Sequence, residues 1–159
     1  MRVCLETSYI IGFLNDETDC QSIERLLKLA ETGHIELFAS DFAWRETRQP
    51  IGEPGKRRMQ RLRRATNPVP KVARIGEWVL GEDVLGHNDS SDIEATLVRA
   101  SRPDREQFLS YAAVGLNFFV TKDNHYLKKS VRTRLANQYG FEIGRSEECL
   151  TWLKKCGIC

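Results

Sequence analysis

The sequence has no long hydrophobic run. None of its apolar stretches approaches the roughly 18 residues that a membrane-spanning helix needs, so we expect no association with a membrane. The N-terminal residues read as a strand at once, without the basic region, apolar stretch and cleavage site that together mark a signal peptide. We therefore expect a cytoplasmic protein.

A cysteine count that would pair fully into disulfides is absent, because the 159 residues contain five cysteines. An odd number of cysteines without a secretion signal indicates reduced thiols rather than a disulfide framework. Cys156 and Cys159 have the spacing of a C-x-x-C pair, but no second pair completes a zinc site. We interpret both as ordinary thiols.

An excess of charge of one sign is also missing. The chain has 24 Lys and Arg against 22 Asp and Glu, a net charge of +2 that by itself indicates no class of partner. Repeats and low-complexity stretches are absent as well. The length fits a single domain spanning residues 1–159, which is large enough to bury about 70% of its unfolded surface.

Short apolar stretches that read as strands alternate with stretches that read as helices. The predicted strands are residues 2–6, 35–40, 116–121 and 141–144. The predicted helices are residues 8–15, 20–33, 41–47, 55–65, 91–100, 104–115, 131–140 and 146–156. Residues 67–70, NPVP, read as a break and residues 81–91 as a loop, while Ser8 can cap the first helix and Gly33 can end the second. The alternation predicts an α/β fold with a parallel sheet and helical crossovers.

Glu6 is unexpected at its place in the chain, because it ends the apolar strand that residues 3–5 begin. Burial of an unpaired charge costs much free energy, so this carboxylate needs a partner. In parallel α/β folds, ligands bind at the carboxyl ends of the strands, at a topological switch point. We expect Glu6 to lie at that edge.

Three further acids belong to segments that can converge on the same edge. Asp123 follows the strand at residues 116–121, Glu46 lies in the helix after the second strand, and Asp104 begins a helix. Taken singly, Asp104 reads equally well as a cap, Glu46 as a solvated helix residue and Asp123 as a turn residue. Two carboxylates about 4 Å apart repel by about 4 kcal/mol at an effective dielectric near 20. A cluster of all four therefore calls for protons or a hard cation, and oxygen ligands suit Mg²⁺ or Mn²⁺.

Three blocks of the sequence resemble the motifs of PIN-domain nucleases. RVCLETSYIIGFL is similar to their opening, in which a strand ends in an acid followed by hydroxyl residues. ASDFAWRET is similar to their second motif, a strand leading into a helix that carries a Glu. DREQFLSYAAVGLNFFVTKDNHYL is similar to their third and fourth motifs, an acid that opens a helix and then a strand ending in T-x-D.

This resemblance implies a three-layer α/β/α sandwich around a short, mostly parallel sheet. It implies an enzyme, a Mg²⁺- or Mn²⁺-dependent endoribonuclease that hydrolyses phosphodiester bonds in RNA. Glu6, Glu46, Asp104 and Asp123 would be its metal-binding and catalytic acids, with Thr7 and Thr121 as supporting hydroxyls. The resemblance also suggests the VapC-like branch, the toxins of type II toxin–antitoxin pairs, and hence a small antitoxin as partner and a homodimer.

Glu6 departs from the family pattern, in which the first acid is usually Asp. The side chain is one methylene longer, and Mg²⁺ demands nearly ideal octahedral geometry, so the change bears on the rate. A PIN-like domain that binds RNA or protein without cutting stays open as an alternative. A receiver domain or small hydrolase with an acidic Mg²⁺ pocket is disfavoured. A receiver domain has an acidic pair before its first long helix, an Asp after a later strand and a Lys further on, and this sequence does not contain these residues in that order. His125 reads either as a general base or as a surface-loop histidine.

A basic stretch, KRRMQRLRR, covers residues 56–64 on a predicted helix. Its candidate nucleic-acid-binding residues are Lys56, Arg57, Arg58, Arg61 and Arg64. Such residues give a sequence-independent affinity for phosphates that falls with salt. A solvated helix face, or a surface for an acidic partner such as an antitoxin tail, would show the same pattern.

Overall fold

The computed structural model describes residues 1–17, 19–40, 44, 47, 52–69, 71–73, 83–85, 111 and 114–158. The strands are β1 (Arg2–Leu5), β2 (Glu36–Ser40), β3 (Thr66–Val69), β4 (Lys71–Ala73), β5 (Asp83–Leu85), β6 (Phe118–Val120) and β7 (Glu142–Gly144). The helices are α1 (Thr7–Leu14), α2 (Cys20–Glu31), α3 (Glu53–Ala65), α4 (Asn124–Leu127), α5 (Lys129–Tyr139) and α6 (Ser146–Lys155). In the part of the chain so described, no helix combines the length and apolarity needed to cross a membrane.

Five of the strands form one sheet in the order β3-β2-β1-β6-β7, and every pairing in it is parallel. Strands β4 and β5 pair with each other in a separate two-stranded sheet. The four strands predicted from the sequence are all present, and the α/β prediction is confirmed. The expected mostly parallel sheet is parallel at each described pairing.

Alternate residues of the central strands face two separate hydrophobic layers. In β1, Val3 and Leu5 pack into the layer formed with α1, α2, α3 and α6, whereas Cys4 packs into the layer formed with α4 and α5. Strand β6 alternates in the same way, with Phe119 on the side of Cys4. Burial on both faces explains why these strands are apolar without interruption. The result is the three-layer α/β/α sandwich.

The chain reverses its direction across the sheet between β1 and β6. From β1 it proceeds to β2 and β3, with α1, α2 and α3 on one face. From β6 it proceeds to β7, with α4 and α5 on the other face. A crevice opens at such a switch point, outside the carboxyl ends of the two strands. Leu5 and Val120 are the last residues of those strands, and they are paired in register.

Two of the sequence-based assignments were wrong, and both concern short strands. Residues 67–70 were expected to be a break, but Asn67, Pro68 and Val69 belong to β3, which pairs with β2. Strand β3 is at the edge of the sheet, where the missing N–H of a proline breaks no hydrogen-bond ladder. Residues 81–91 were expected to be a loop, but residues 83–85 form β5. Three residues are too few to give a clear alternation in sequence.

The helix predictions were mostly correct within the described residues. Gly33 adopts a φ of 76° just after α2, as expected for a residue that ends a helix. Gly140, with a φ of 72°, ends α5 in the same way. Ser8 does not cap α1, because Glu6 is the N-cap residue and Ser8 lies inside the helix. The predicted helices at residues 41–47, 91–100 and 104–115 fall mostly or wholly outside the described residues.

Tyr9 connects the first helix to the last one. Its hydroxyl accepts a hydrogen bond from the buried N–H of Ser146, at 3.1 Å, in the first turn of α6. The first N–H groups of a helix have no partner within the helix, so this contact satisfies one of them. The side chain of Ser146 is buried too, and it accepts a hydrogen bond from Ser22 at 2.7 Å.

We predict that Tyr9→Phe lowers the free energy of unfolding by about 1–3 kcal/mol, because the buried N–H of Ser146 would lose its acceptor. The phenylalanine ring fills the same space, so packing is preserved. Urea unfolding of the variant and the parent chain measures the difference. A change below about 0.5 kcal/mol, half of a typical hydrogen bond's net contribution, would show that this contact does not hold α6 in place.

Candidate active site

Glu6 lies where the sequence placed it, at the carboxyl end of β1. Its backbone N–H donates to the carbonyl of Val120 at 3.0 Å, so the ends of β1 and β6 are joined directly. The residue is also the N-cap of α1, with an extended backbone at φ −71° and ψ 155°. The side chain therefore starts between a strand end and a helix start, on the edge where the switch point opens.

The carboxylate of Glu6 is held by uncharged donors. Its Oε2 accepts hydrogen bonds from Ser8 Oγ at 2.6 Å, from Thr121 Oγ1 at 2.7 Å and from the backbone N–H of Lys122 at 3.2 Å. These contacts compensate the carboxylate for its partial burial, and no cation among the described residues lies within ion-pair distance of it. Sequence reasoning missed Ser8 and Lys122 as partners, although E-T-S and T-K-D place them one or two residues from the predicted site.

Thr121 connects Glu6 and Asp123, the two predicted site acids that lie within the described residues. Its fully buried hydroxyl donates to Glu6 and accepts from the backbone N–H of Asp123 at 2.9 Å. A single hydroxyl thus uses its one donor and one of its acceptor lone pairs to fix the two segments. These are the contacts that Thr121, predicted as a supporting hydroxyl, makes in the structure. Thr7, the other predicted hydroxyl, is buried in the first turn of α1.

Asp123 is positioned by the short helix that follows it. It is the N-cap of α4, and its Oδ1 accepts from the backbone N–H of His125 at 2.8 Å. The ring Nδ1 of His125 lies 3.0 Å from the same oxygen. About a quarter of the Asp123 side chain, 26%, remains exposed, so the carboxylate faces both protein and solvent.

Lys122 stands between Thr121 and Asp123, yet its side chain turns to other acids. Its Nζ lies 2.9 Å from Asp19 and 3.3 Å from Glu17, and 4.9 Å from the centre of the Tyr9 ring. Partial burial favours the neutral amine, but these carboxylates outweigh it and the pKa of Lys122 is raised. The Lys122 ammonium therefore stabilises the turn after α1, where Glu17 and Asp19 balance its charge.

Glu46 and Asp104, the other two predicted acids, lie outside the described residues. Within the described part of the chain, no three His, Cys, Asp or Glu side chains gather as a metal site would require. The structure thus brings Glu6 and Asp123 to one edge through Thr121. Both offer carboxylate oxygens, the ligand type that Mg²⁺ and Mn²⁺ prefer, so the two residues fit the expected cation.

The thiol of Cys4 lies behind this edge and adds no ligand. Burial raises the pKa of Cys4 well above its ordinary value. A buried protonated thiol is inert as a nucleophile and as a metal ligand. Tyr111 packs on the same side of the sheet against Phe119, with ring centres 5.0 Å apart, and burial raises its pKa too. Neither Cys4 nor Tyr111 therefore offers an ionised ligand at this edge.

The predicted basic surface on α3 divides into two groups. Arg61 binds Glu24 of α2 and, at 2.6 Å, Glu31. The hydrogen bond from Arg61 lowers the pKa of Glu31. Two further members of the basic surface are paired as well, Arg58 with Asp16 at 2.8 Å and Lys56 with Glu53 at 2.7 Å. The charges of these three residues are thus balanced within the chain.

Arg57 and Arg64 form the second group. Both are exposed, and no acid of the described residues lies within ion-pair distance of either. They line a groove of about 770 Å³ together with Gln60 and Asn67. The groove runs toward the amino end of the sheet, because α3 leads directly into the start of β3. Arg64, near the end of α3, therefore lies away from the edge that carries Glu6.

We predict that Glu6→Gln leaves stability within about 1 kcal/mol of the parent, because the amide oxygen can still accept from Ser8, Thr121 and Lys122. Glu6→Asp is one methylene shorter and should lose reach to these donors, which lowers the free energy of unfolding by roughly 1–3 kcal/mol. Urea unfolding without divalent cations checks the order of the two variants.

Calorimetric titration with Mn²⁺ then separates a ligand from a structural acid. If Glu6 binds the cation, Glu6→Gln should weaken the affinity by about tenfold or more, since even an outer-shell partner contributes 10–100-fold. Glu6→Asp keeps the charge and should retain binding. Equal Mn²⁺ affinity in Glu6→Gln and the parent would reduce Glu6 to a hydrogen-bonded structural residue.

Comparison with known proteins gave no relative: no protein-family model, no curated protein and no solved structure matches the chain significantly.

Proposed function

We propose that the protein is a metal-dependent endoribonuclease of the PIN-domain type. The observation that carries the proposal is the hydroxyl of Thr121, which joins Glu6 and the Asp123 segment at the switch point of a parallel sheet. Two oxygen-donating acids at this edge suit a hard cation. Their place in the motifs that resemble PIN-domain nucleases supports RNA as the substrate. Glu46 and Asp104 complete the set of acids in this proposal.

A bound Mg²⁺ or Mn²⁺ would supply a water of lowered pKa and would stabilise the leaving oxygen of the phosphodiester. The residues of the chain hold the ligands in place for this chemistry. Thr121 and Ser8 fix one oxygen of the Glu6 carboxylate. The backbone N–H and the ring of His125 fix one oxygen of Asp123. Because its ring is held against Asp123, His125 acts in this proposal as a positioning residue.

A module that binds RNA or protein without cutting is the second candidate. One observation favours it: Oε2 of Glu6 already accepts three hydrogen bonds, so the residue is satisfied without a cation. Glu in place of the usual Asp points in the same direction. The two candidates differ in a single observable, hydrolysis of RNA that requires a divalent cation.

The proposal extends to the partners and the setting of a toxin. A small antitoxin would bind the folded chain, and the active form would be a homodimer in the cytoplasm. Co-expression with the product of the gene immediately upstream tests the antitoxin: it should suppress growth arrest and co-purify with this chain. Sedimentation of the purified chain tests the homodimer.

We predict that Asp123→Asn lowers metal-dependent RNA cleavage by about 100-fold or more, given that loss of an outer-shell partner alone costs 10–100-fold. The amide oxygen can still accept from the N–H of His125, so α4 should keep its cap. Cleavage of a labelled RNA with Mn²⁺ and with EDTA gives the measurement, and circular dichroism verifies the fold. Asp104→Asn should behave alike. Full activity in either folded variant would remove that acid from the site.

We predict that the two groups of arginines on α3 have separable effects. Arg57→Gln with Arg64→Gln should reduce the salt dependence of RNA binding by about 1.4 in the slope of log K against log salt, since each single-strand contact adds about 0.7. Arg58→Gln with Arg61→Gln carries the same charge change but removes ion pairs with Asp16, Glu24 and Glu31. It should lower stability and leave the slope nearly unchanged.

Binding measured by fluorescence anisotropy over a range of salt concentrations compares the two double variants directly. If both double variants reduce the salt slope equally, RNA responds to the net charge of α3 as a whole and not to particular arginines. An unchanged slope in Arg57→Gln with Arg64→Gln would assign this helix face to a protein partner instead.

A further inference from the structure

The segment that follows Asp123 contains several basic residues and no acidic residue of its own. Residues 124–140 contain four lysines and arginines, Lys128, Lys129, Arg132 and Arg134, and no Asp or Glu. This stretch comprises α4 and α5. Its charge is easily missed in the sequence, because the basic residues of α3 lie closer together. Lys128 and Lys129 thus place exposed positive charge at the start of α5.

The start of α5 lies on the same edge of the sheet as the acids. Strand β6 ends at Val120, and α5 leads back to β7, which runs parallel to β6. A helix that connects two parallel strands in this way begins at their carboxyl ends. Only the single turn of α4 separates Asp123 from Lys128, and that turn is closed by a hydrogen bond from the N–H of Leu127 to the carbonyl of Asp123, at 3.2 Å.

Lys128 and Lys129 present their charges to solvent. Both side chains are exposed, and among the residues that the structure describes no carboxylate lies within ion-pair distance of them. Arg132 of the same helix differs, because it binds Glu148 at 2.7 Å. Lys122 differs as well, because Asp19 and Glu17 balance its charge. The two lysines are thus exposed cations beside the acidic edge.

A shallow groove of about 1040 Å³ begins at these lysines and follows α5. Its lining residues are all of polar or charged type, although the stems of their side chains also expose apolar atoms: Lys128, Lys129, Ser130, Thr133, Arg134, Asn137 and Gln138. The apolar residue Leu135 of α5 points into the core instead. Among the described residues, no aromatic side chain lines this groove, whereas aromatic residues are enriched at the centres of protein interfaces. Cations together with hydroxyl and amide groups are the set that contacts a phosphate backbone.

We propose that Lys128 and Lys129, with the polar face of α5 behind them, hold the RNA backbone beside the acids. The inference rests on the proposed function in taking RNA as the ligand. Four carboxylates carry more negative charge than one divalent cation neutralises, so exposed cations nearby favour the approach of a substrate phosphate. Lys122 is already paired, and Arg64 lies toward the other end of the sheet. The start of α5 supplies the missing positive charge.

The test compares two double variants that each remove two neighbouring exposed lysines. Lys128→Gln with Lys129→Gln alters the proposed surface, and Lys154→Gln with Lys155→Gln, at the end of α6, is the matched control. The probe is a fluorescein-labelled single-stranded RNA of mixed sequence, bound by the full chain in EDTA so that no metal-dependent cleavage occurs. We expect the salt slope to fall by about 1.4 in the first variant, from two contacts of about 0.7 each, and to stay at the parent value in the control.

Equal slopes in the parent and in Lys128→Gln with Lys129→Gln would overturn the proposal, as would a parent chain that binds no RNA. Loss of binding to a polyglutamate peptide with unchanged RNA binding would also overturn it, and would assign the surface to an acidic protein. A parallel cleavage assay in Mn²⁺ keeps the two proposals apart. If RNA binding depends on Lys128 and Lys129 but no cleavage occurs, the surface is supported and the nuclease proposal is refuted. If cleavage occurs and is the same with and without the two lysines, the nuclease is supported and this surface is refuted.

Discussion

The hydrogen bond from the Thr121 hydroxyl to Glu6 is the contact on which the edge of the sheet depends. It joins the residue after β1 to the residue after β6, and the same hydroxyl accepts from the N–H of Asp123. Two segments that are 115 residues apart in sequence are thereby fixed at the place where the chain reverses across the sheet. The Thr121 hydroxyl thus fixes the Glu6 carboxylate and the backbone of Asp123, and in our proposal this preorganises the cation site.

The distribution of positive charge follows from the same constraint. In the proposed nuclease, an acidic edge that accepts RNA needs cations nearby, and the basic residues that the structure describes differ in their partners. Lys122 braces the turn after α1, and Arg61 joins α3 to α2. Arg57 and Arg64 belong to the layer on one face of the sheet, and Lys128 and Lys129 belong to the helix on the other. Lys128 and Lys129 therefore lie beside the edge that carries Glu6, whereas Arg64 lies toward the amino end of the sheet.

The sequence predicted the central strands because residues buried on both faces form uninterrupted apolar runs. It predicted Glu6 at the edge because a carboxylate beside such a run needs an explanation. It did not predict β3, because a proline such as Pro68 normally interrupts a strand. Only an edge strand tolerates it, and the sequence does not show which strand lies at the edge. It could not give the partners of Glu6, because a backbone N–H such as that of Lys122 belongs to every residue type. The pairing of Arg61 with Glu24 and Glu31 could not be predicted either. It joins α3 to α2, and the sequence does not say which helices pack against each other.

The most direct test of the central claim is a crystal structure of the chain soaked in Mn²⁺, with anomalous differences measured near the manganese absorption edge. Glu6 and Asp123 belong to one cation site if the strongest anomalous peak lies between their carboxylates, with an oxygen from each at coordination distance. Glu46 and Asp104 should then be found around the same peak. A peak elsewhere on the molecule, or an edge without a peak at a concentration that saturates binding in solution, would contradict the account and leave Thr121 as a purely structural link between two strands.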